Sequence, residues 1–348
     1  MLNDLRLRDF RCFESASVEL GDGFNFFLGP NGEGKTTILE AACVLLRLQS
    51  QRSALLAPVI QIGKKSFGVR GCLDGHLLEF RYRPLRRSVQ LDGIEQRTLG
   101  EYLLLGRVVS FANSDVELVR GGSDARRRYL DFLGTQIDAS YRPALRAYER
   151  ALRARNALLK SIPPRHRELA AYDRQLIEYG EILGRLRIRF AEMIAPLATA
   201  AYARISGHRE TLRVRFAPGM HGNLAKELAE SRIEEMRLRQ TLVGPHRDDL
   251  ELLVDEMPAP EFASEGQQRT AALALKIAQA DVFKNMGQPP LLLIDDIFGE
   301  LDTARRNALL DNLPADSQKL ITATAMSWRG EIKADVIYEL RDRRLRHA

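Results

Sequence analysis

Residues 29–36 have the types and the spacing that bind phosphate groups. They read Gly-Pro-Asn-Gly-Glu-Gly-Lys-Thr, after an apolar run that ends at Leu28 and before a helical apolar pattern that begins at Ile38. A strand, a glycine-rich turn and a helix are the arrangement in which backbone N–H groups and a helix N-terminus bind phosphates. The predicted nucleotide-binding residues are Gly29, Pro30, Asn31, Gly32, Glu33, Gly34, Lys35, Thr36 and Thr37.

Two side chains of this segment have predicted roles in the chemistry. Lys35 is expected to reach the β- and γ-phosphates of the nucleotide and to act in catalysis there. The hydroxyl of Thr36 is expected to ligate Mg²⁺. The predicted cofactors are therefore ATP and Mg²⁺.

A pair of acids near the other end of the chain predicts the second half of the site. Residues 291–294 are Leu-Leu-Leu-Ile and lead into Asp295 and Asp296. A strand buried in a parallel sheet is apolar throughout, and open α/β sheets bind ligands at the C-terminal ends of their strands. Asp295 is predicted to hold Mg²⁺, partly through water, and Asp296 to position or deprotonate the attacking water. The alternative is a strand followed by an acidic N-cap.

A third element lies at a predicted helix start. Residues 264–268 read Ser-Glu-Gly-Gln-Gln and precede a helical apolar pattern. A serine hydroxyl, a glycine N–H and the positive end of a helix form an anion site, for which Ser264, Gly266 and Gln267 are the candidates. Ser264 as an ordinary N-cap is an equally good interpretation of this segment alone.

The order of these three elements, followed by the turn Glu300-Leu301-Asp302, resembles the ABC-type ATPase heads of the SMC and Rad50 class. The resemblance implies an α/β fold, namely a P-loop ATPase head with a mixed sheet and an inserted α-helical arm. It also implies an ATP-dependent homodimer, because in that class the serine-glycine motif of one subunit closes over the ATP held by the other. Ser264, Gly266 and Gln267 would then contact the γ-phosphate in the partner subunit.

Within that class the chain resembles the RecF family of bacterial recombination mediators. Three stretches carry the resemblance: Phe10-Arg11-Cys12-Phe13, residues 121–131, and residues 242–250, which read Leu-Val-Gly-Pro-His-Arg-Asp-Asp-Leu. The chain departs from the family pattern at residues 112–114, which are Ala-Asn-Ser, and at Gly299 and Ala323. These departures concern the loop that senses the γ-phosphate.

The resemblance implies a function in addition to a fold. It implies a slow, DNA-stimulated ATPase that binds single-stranded, double-stranded and gapped DNA. It further implies cooperation with the RecO and RecR mediators and help in loading RecA. Asp296 is one methylene shorter than the Glu usual in transporters and Rad50 proteins, which favours slow turnover because small misplacements of catalytic groups are costly in rate.

Composition agrees with a folded intracellular protein. The 348 residues leave room for two domains, and no stretch of about 18 uninterrupted apolar residues predicts a membrane span. The N-terminus does not resemble a signal peptide. The three cysteines, Cys12, Cys43 and Cys72, lack paired metal-ligand spacing and are odd in number, which is typical of a reducing compartment and predicts a cytoplasmic protein.

The motifs divide the chain into three predicted segments. Residues 1–121 and 239–348 are expected to form the ATPase domain, and residues 122–238 a helical arm with a break at Pro163 and Pro164. Alternating apolar residues with turns at Asp74-Gly75 and Asp92-Gly93 predict hairpins within residues 70–97. Strands at residues 5–10 and 17–20 are expected to join them in an antiparallel sheet.

The excess positive charge lies in the helical segment. Residues 122–238 hold 22 Lys and Arg against 14 Asp and Glu, a net of +8, whereas the remainder has 30 against 32. Four arginines fall within about 80° of one another on a helix, and Glu149 shares their arc; they are Arg142, Arg146, Arg150 and Arg153. The pattern fits a DNA-binding surface or a solvated helix face equally well, and the RecF resemblance favours DNA.

Two further features limit the functional interpretation. No base-reading motif is visible and there is a single tryptophan, Trp328, so DNA binding is expected to depend on structure rather than on base sequence. The cluster His246-Arg247-Asp248-Asp249 has no second metal-ligand cluster to pair with, and we interpret it as a polar network near the nucleotide or the hinge of the insert. The alternative function is an ABC-type ATPase subunit that docks a protein or membrane partner without binding DNA.

Overall fold

The computed structural model describes residues 1–53, 55–161, 166–325 and 332–348. The predicted break at Pro163 and Pro164, and Trp328, lie outside the described residues. The strands, in chain order, are β1 (Leu2–Phe10), β2 (Phe13–Glu19), β3 (Phe24–Leu28), β4 (Phe67–Leu73), β5 (His76–Arg83), β6 (Arg86–Leu91), β7 (Ile94–Glu95), β8 (Val108–Ala112), β9 (Leu212–Ala217), β10 (Asp249–Val254), β11 (Met257–Pro258), β12 (Leu291–Asp295), β13 (Lys319–Ala323), β14 (Val336–Arg341) and β15 (Arg344–His347). The α-helices, in chain order, are α1 (Lys35–Arg47), α2 (Gly100–Leu105), α3 (Glu117–Arg120), α4 (Ser123–Ile137), α5 (Tyr141–Lys160), α6 (His166–Ser206), α7 (Leu224–Glu230), α8 (Arg232–Leu238), α9 (Ala259–Phe262), α10 (Glu265–Asn285) and α11 (Thr303–Asn312).

The chain forms two compact units. The first comprises Met1–Asp115 and Gln279–Ala348, and the second comprises Val116–Ala278. Helix α10 begins in the second unit, and its last residues belong to the first. The division into an ATPase domain and an arm, which follows the motifs, stays a prediction.

The strands that lead into the predicted site belong to a six-stranded sheet of the first unit. Its order is β15-β14-β3-β13-β12-β8, and all neighbouring pairs are parallel except β14 with β15. Residues 291–294 of β12 are buried, as their unbroken apolar run predicts. Since parallel strands end at the same edge, the C-terminal ends of β3, β8, β12 and β13 lie together, where ligands bind in open α/β sheets.

The predicted hairpins form a second, antiparallel sheet in the same unit. Its order is β2-β1-β4-β5-β6-β7, and the turns at Asp74-Gly75 and Asp92-Gly93 join β4 to β5 and β6 to β7. The aspartates adopt positive φ angles of 49° and 51°, which suits a two-residue hairpin turn. The hairpins and their pairing with the N-terminal strands are therefore confirmed, although the second strand begins at Phe13 rather than at Ser17.

Helix α1 lies between the two six-stranded sheets. It contacts β1, β4 and β5 of the antiparallel sheet and β8, β12 and β13 of the parallel sheet. Nearly all of its residues are buried, and a helix that is apolar around its circumference needs such cover on all sides. The helix that follows the phosphate loop is thus fixed in the core of the unit.

The second unit is largely helical. Helices α5 and α6 pack against each other, and α6 also contacts β9. Strand β9 was not predicted; it pairs with β10, which pairs with β11, in a three-stranded antiparallel sheet. Within the described ranges, no helix is both long and apolar enough to cross a bilayer.

The predicted basic face of the helical segment lies on α5. Arg146, Arg150 and Arg153 are exposed, whereas Arg142 is partly buried. Arg153 lies 3.8 Å from Glu149, so the face is partly neutralised. Its role in DNA binding stays a prediction.

Two buried arginines join the helices of the second unit. The Arg187 guanidinium, 3% exposed, donates to Asp131 at 2.7 Å and to Asp248 at 2.9 Å. The Arg155 guanidinium, fully buried, donates to Asp173 at 2.7 Å and to Glu235 at 2.5 Å. Each arginine therefore has two carboxylate partners, which buried charges require.

The stretch 242–250 belongs to this network. Asp248 accepts hydrogen bonds from Arg187 and from the Gly219 backbone N–H at 2.7 Å. Asp249 accepts a bidentate pair from Arg126 at 2.7 and 2.9 Å. The cluster is a polar network, as predicted, and these partners lie in the second unit.

His246 is held neutral in this network. Its Nε2 lies 3.0 Å from the Thr241 carbonyl oxygen, which can only accept, so Nε2 carries the proton and Nδ1 accepts from the Tyr148 hydroxyl at 2.7 Å. Burial lowers the pKa of His246 to about 4, and the nearby charges of Arg247, Arg127 and Arg155 act in the same direction.

We expect this histidine to make the fold acid-sensitive. The folded-state pKa lies below the unfolded one, so the unfolded chain takes up the proton first, and stability is lost as pH falls from about 6.5 towards 4. Between pH 7 and pH 5 the loss should be about 2 kcal/mol in the free energy of unfolding. Urea titrations of the wild type and His246→Gln at both pH values test this, because the variant should lack that increment. Equal losses in the two proteins would contradict it.

Candidate nucleotide site

The phosphate loop follows β3 and requires glycine at two of its positions. Gly29 has φ +148°, and a Cβ there would lie 2.3 Å from the Leu340 carbonyl oxygen. Gly34 has φ +100°, and a Cβ there would lie 2.7 Å from the Cys12 sulfur. Helix α1 begins at the next residue, with the Thr37 N–H donating to the Gly34 carbonyl at 2.9 Å. The loop is thus pressed between β14 and the turn after β1.

Lys35 lies within this loop. Its Nζ donates to the carbonyl oxygens of Gly29 and Pro30 at 2.6 and 2.9 Å and to the Asn31 side chain at 3.3 Å. Burial lowers its pKa below the ordinary range, and the carboxylates of Asp296 and Asp295 oppose that shift. The ammonium group is therefore at the loop that the sequence assigns to phosphates.

The first acid of the predicted pair meets the loop threonine. The Thr36 hydroxyl donates to Asp295 Oδ1 at 2.7 Å, and the Thr322 hydroxyl donates to the same oxygen at 2.8 Å. Thr322 faces Asp295 because β12 and β13 pair in that register. The predicted metal ligands Thr36 and Asp295 are therefore adjacent.

The second acid is held in an unusual backbone conformation. Asp296 has φ +50°, and its N–H donates to the Thr322 hydroxyl at 2.9 Å. Burial raises the pKa of Asp296, an effect that Lys35 opposes and that Asp295 and Glu300 reinforce. A carboxylate with a raised pKa beside a lysine has the properties of a general base.

Residues 112–114, which depart from the family pattern, also lie at this edge of the sheet. The Asn113 side-chain amide donates to Glu300 Oε1 at 2.8 Å and to the Asp296 carbonyl oxygen at 3.4 Å. The end of β8 is thereby joined to the segment after β12. Sequence reasoning noted Asn113 only as a departure from the family pattern, and the structure gives it two partners at the site.

Thr322 is a site residue that sequence reasoning missed, since only its neighbour Ala323 was noted, as a departure from the family pattern. Its one hydroxyl donates to Asp295 and accepts from Asp296, so it fixes both acids. We expect Thr322→Val to lower kcat for ATP hydrolysis by about 10- to 100-fold, because a misplacement of roughly 1 Å in a catalytic group can cost that much. Thr322→Ser keeps the hydroxyl and is the matched control. A wild-type kcat in the valine variant would contradict this role.

The serine-glycine motif begins α10 in the second unit. The Ser264 hydroxyl accepts from the Gln267 N–H at 3.3 Å, and the Gln267 side-chain oxygen accepts from the Ser264 N–H at 2.6 Å. This reciprocal pair is a capping box, so the N-cap interpretation describes Ser264 in this chain. Ser264 is exposed and Gly266 is half-buried, and their contact with a nucleotide of a second subunit stays a prediction.

The residues at the sheet edge fit a nucleotide with Mg²⁺. A threonine hydroxyl and a carboxylate 2.7 Å apart are the hard oxygen ligands that Mg²⁺ uses alongside phosphate oxygens. The lysine ammonium and the N-terminus of α1 supply positive charge at the same loop. Among the described residues, no group of three or more His, Cys, Asp or Glu forms a metal centre made of protein ligands alone.

The parallel sheet with its phosphate loop and paired acids, the antiparallel sheet across α1 and the serine-led helix define a P-loop ATPase head of the ABC type. A family model described as an AAA domain matches residues 4–55. The chain belongs to the RecF family: it is 36% identical to the DNA replication and repair protein RecF of Nostoc punctiforme, over 93% of this chain and 92% of that protein. RecF of Gloeobacter violaceus is also 36% identical, over 94% and 92%.

Solved structures agree with this assignment. A structure of the recombination mediator protein RecF, in a form described as RecF-ATP in the RecFOR pathway, superposes with a TM-score of 0.88 and 27% identity, covering 100% of this chain and 97% of that chain. An Smc head bound to the C-terminal winged-helix domain of ScpA gives a TM-score of 0.59 at 17% identity, covering 100% and 96%. The latter shares the fold. The predicted α/β ATPase head and the RecF resemblance are thus confirmed.

Proposed function

We propose that this chain is an ATP-dependent, DNA-binding recombination mediator. It would dimerise on ATP, bind gapped DNA and junctions between single and double strands, and act with RecO and RecR to help load RecA. The proposal rests on one observation. In a chain of the RecF family, four residues lie together at one edge of the parallel sheet, namely Lys35, Thr36, Asp295 and Asp296. The names of the RecF relatives, which mention replication, repair and the RecFOR pathway, support the DNA-related part.

Each residue at the sheet edge has a distinct task in this proposal. Backbone N–H groups within residues 31–36 bind phosphate oxygens, and Lys35 supplies the charge that orients the terminal phosphates. Thr36 and Asp295 would hold Mg²⁺, which when bound would neutralise charge on the phosphates. Asp296 positions a water molecule and accepts its proton. Thr322 keeps the two acids in register.

The second compact unit supplies the other half of the proposed site. Ser264, Gly266 and Gln267 of a partner subunit would approach the γ-phosphate, so that two chains complete two sites. The N-terminal end of the 21-residue helix α10 brings positive potential to that position. Closure of the dimer would follow ATP binding, and slow hydrolysis would reopen it.

DNA binding measured by fluorescence anisotropy tests the proposal. The protein is titrated onto labelled gapped duplex DNA without nucleotide, with ADP and with ATP, over a series of salt concentrations. We expect tight binding with ATP alone, a steep salt dependence and loss of both in Lys35→Met. Mass photometry of the same samples reports whether the dimer forms with ATP.

The outcomes separate this proposal from its alternative. Absence of DNA binding with every nucleotide, in a protein that still hydrolyses ATP, would contradict the mediator function. It would favour an ATPase subunit that docks a protein or membrane partner. Binding that is equal with and without ATP would contradict ATP-dependent closure of the dimer on DNA and would indicate a nucleotide-independent DNA contact.

A further inference from the structure

The outer face of the antiparallel sheet carries a cluster of arginines that the proposed ATPase site does not use. In β1 the apolar Leu5 and Leu7 point inward and are buried, so Arg6 and Arg8 point outward. Arg70 of β4 is likewise exposed between buried neighbours, and Arg81 of β5 is exposed between the buried Phe80 and the partly buried Tyr82. The name sheet-face cluster here denotes Arg6, Arg8, Arg70 and Arg81. Since α1 covers the inner side of this sheet, the cluster lies on the side away from α1.

The strand register concentrates the positive charge. Arg6 stands directly opposite Arg70 on the neighbouring strand, and like charges at directly opposed positions destabilise a sheet. Glu79 of β5 stands opposite Arg70 on the other side, but its ion pair is with Arg81. On the next outward row Gly68 stands between Arg8 and Arg81. Because Gly68 has no side chain, the sheet is open between the two guanidinium groups. The side chains surround a groove of about 530 Å³.

The nearby carboxylates neutralise only part of the cluster. Glu79 pairs with Arg81, and Asp4 lies 3.6 Å from Arg6. Asp9, which also lines the groove, lies 3.3 Å from Lys64. The guanidinium groups of Arg8 and Arg70 have no ion-pair or hydrogen-bond partner among the residues that the structure describes. The groove therefore presents two unpaired guanidinium groups to solvent.

We propose that the sheet-face cluster binds the phosphodiester backbone of DNA. Guanidinium groups are planar forks that hold phosphate oxygens in pairs, and phosphate contacts supply most non-specific affinity for nucleic acids. Arg8 and Arg81 lie two strands apart, about 10 Å across the sheet, which spans more than one phosphate. The backbone of a polynucleotide matches that spread better than a single free phosphate. This contact rests on the proposed function and specifies where DNA would bind. It is a surface of the first unit, in addition to the predicted basic face on α5.

A double variant tests the cluster without touching the nucleotide site. Arg8→Ala/Arg70→Ala removes the two unpaired guanidinium groups from exposed positions, so the fold and the ATP turnover measured without DNA should stay unchanged. With ATP present, the slope of log Kd against log salt should fall by about 1 for each DNA phosphate that the variant no longer neutralises. Titrations with duplex DNA and with single-stranded DNA identify which of the two backbones the groove binds.

Two control proteins make the result specific. Arg8→Lys/Arg70→Lys keeps both charges and should retain most of the salt slope. Arg213→Ala/Arg215→Ala removes two exposed strand arginines that pair with Glu256 and Glu251 elsewhere, and should bind like the wild type.

The possible results distinguish failure of the sheet-face contact from failure of the proposed mediator function. If the wild type binds DNA and Arg8→Ala/Arg70→Ala binds with the same affinity and slope, the sheet-face contact is overturned while the mediator function stands. If the wild type binds no DNA, both are overturned. A reduced slope in the alanine variant, restored by the lysines, supports the contact.

Discussion

Replacing Asp296 with Asn is expected to lower kcat for ATP hydrolysis by about 10²- to 10⁴-fold, the usual contribution of a general base. The substitution removes the carboxylate charge but keeps the side-chain shape. Asn also tolerates the left-handed backbone at φ +50°, and the backbone bonds to Thr322 and Asn113 do not need the carboxylate. ATP binding, dimer formation and DNA binding should therefore survive, and steady-state phosphate release measures the loss.

The comparison variant for this experiment is Asp295→Asn. It removes the predicted metal ligand and should raise the Mg²⁺ concentration needed for half-maximal activity, whereas Asp296→Asn should not. Wild-type turnover in Asp296→Asn would show that the second acid is not the base. If ATP-dependent dimerisation and DNA binding vanish together with turnover, the proposed closure on ATP binding and reopening by hydrolysis is wrong.

Replacing Arg187 with Met is expected to destabilise the protein by about 3–5 kcal/mol, because it leaves the buried carboxylate of Asp248 and the partly buried carboxylate of Asp131 without their cation. The guanidinium also donates to the Pro245 carbonyl at 2.5 Å and to the Tyr141 hydroxyl at 2.9 Å, so two more buried acceptors lose a donor. A decrease of about 10 °C in Tm corresponds to this loss in a domain of that size. Thermal unfolding followed by circular dichroism measures it.

An exposed arginine of the same helical unit provides the control. The Arg153 side chain is 69% exposed and faces Glu149 at 3.8 Å, and such surface pairs contribute little. Arg153→Met should change Tm by a degree or so. Similar losses in the two variants would mean that the buried network does not hold the second unit together.

The sequence was sufficient to predict the parts of the site that depend on local pattern. Glycine spacing, the apolar run before it and the helical period after it predicted the phosphate loop, and an unbroken apolar run predicted β12 with acids at its end. The hairpins followed from aspartate-glycine turns between alternating residues. In each case, the signal lies within about ten residues of the feature.

Features that depend on pairing between distant segments were missed. Thr322 meets Asp295 because β13 pairs with β12 in one register, and no local pattern fixes that register. The arginine networks join residues as far apart as Arg126 and Asp249, and the sequence showed these only as separate charges. Strand β9 has an alternating pattern but was included in a helical segment, because its partner β10 lies more than 30 residues away.

The left-handed backbone at Asp296 affects the rate of ATP hydrolysis in the proposed mechanism. Residues other than glycine rarely adopt this conformation, and aspartate and asparagine do so more readily than residues with longer side chains. A glutamate here would reach further towards the nucleotide, but it would add a conformational cost of about 1 kcal/mol to the main chain. The turn after β12 thus favours the shorter acid, and in the proposed mechanism this main-chain conformation would contribute to slow hydrolysis and to the lifetime of the closed dimer.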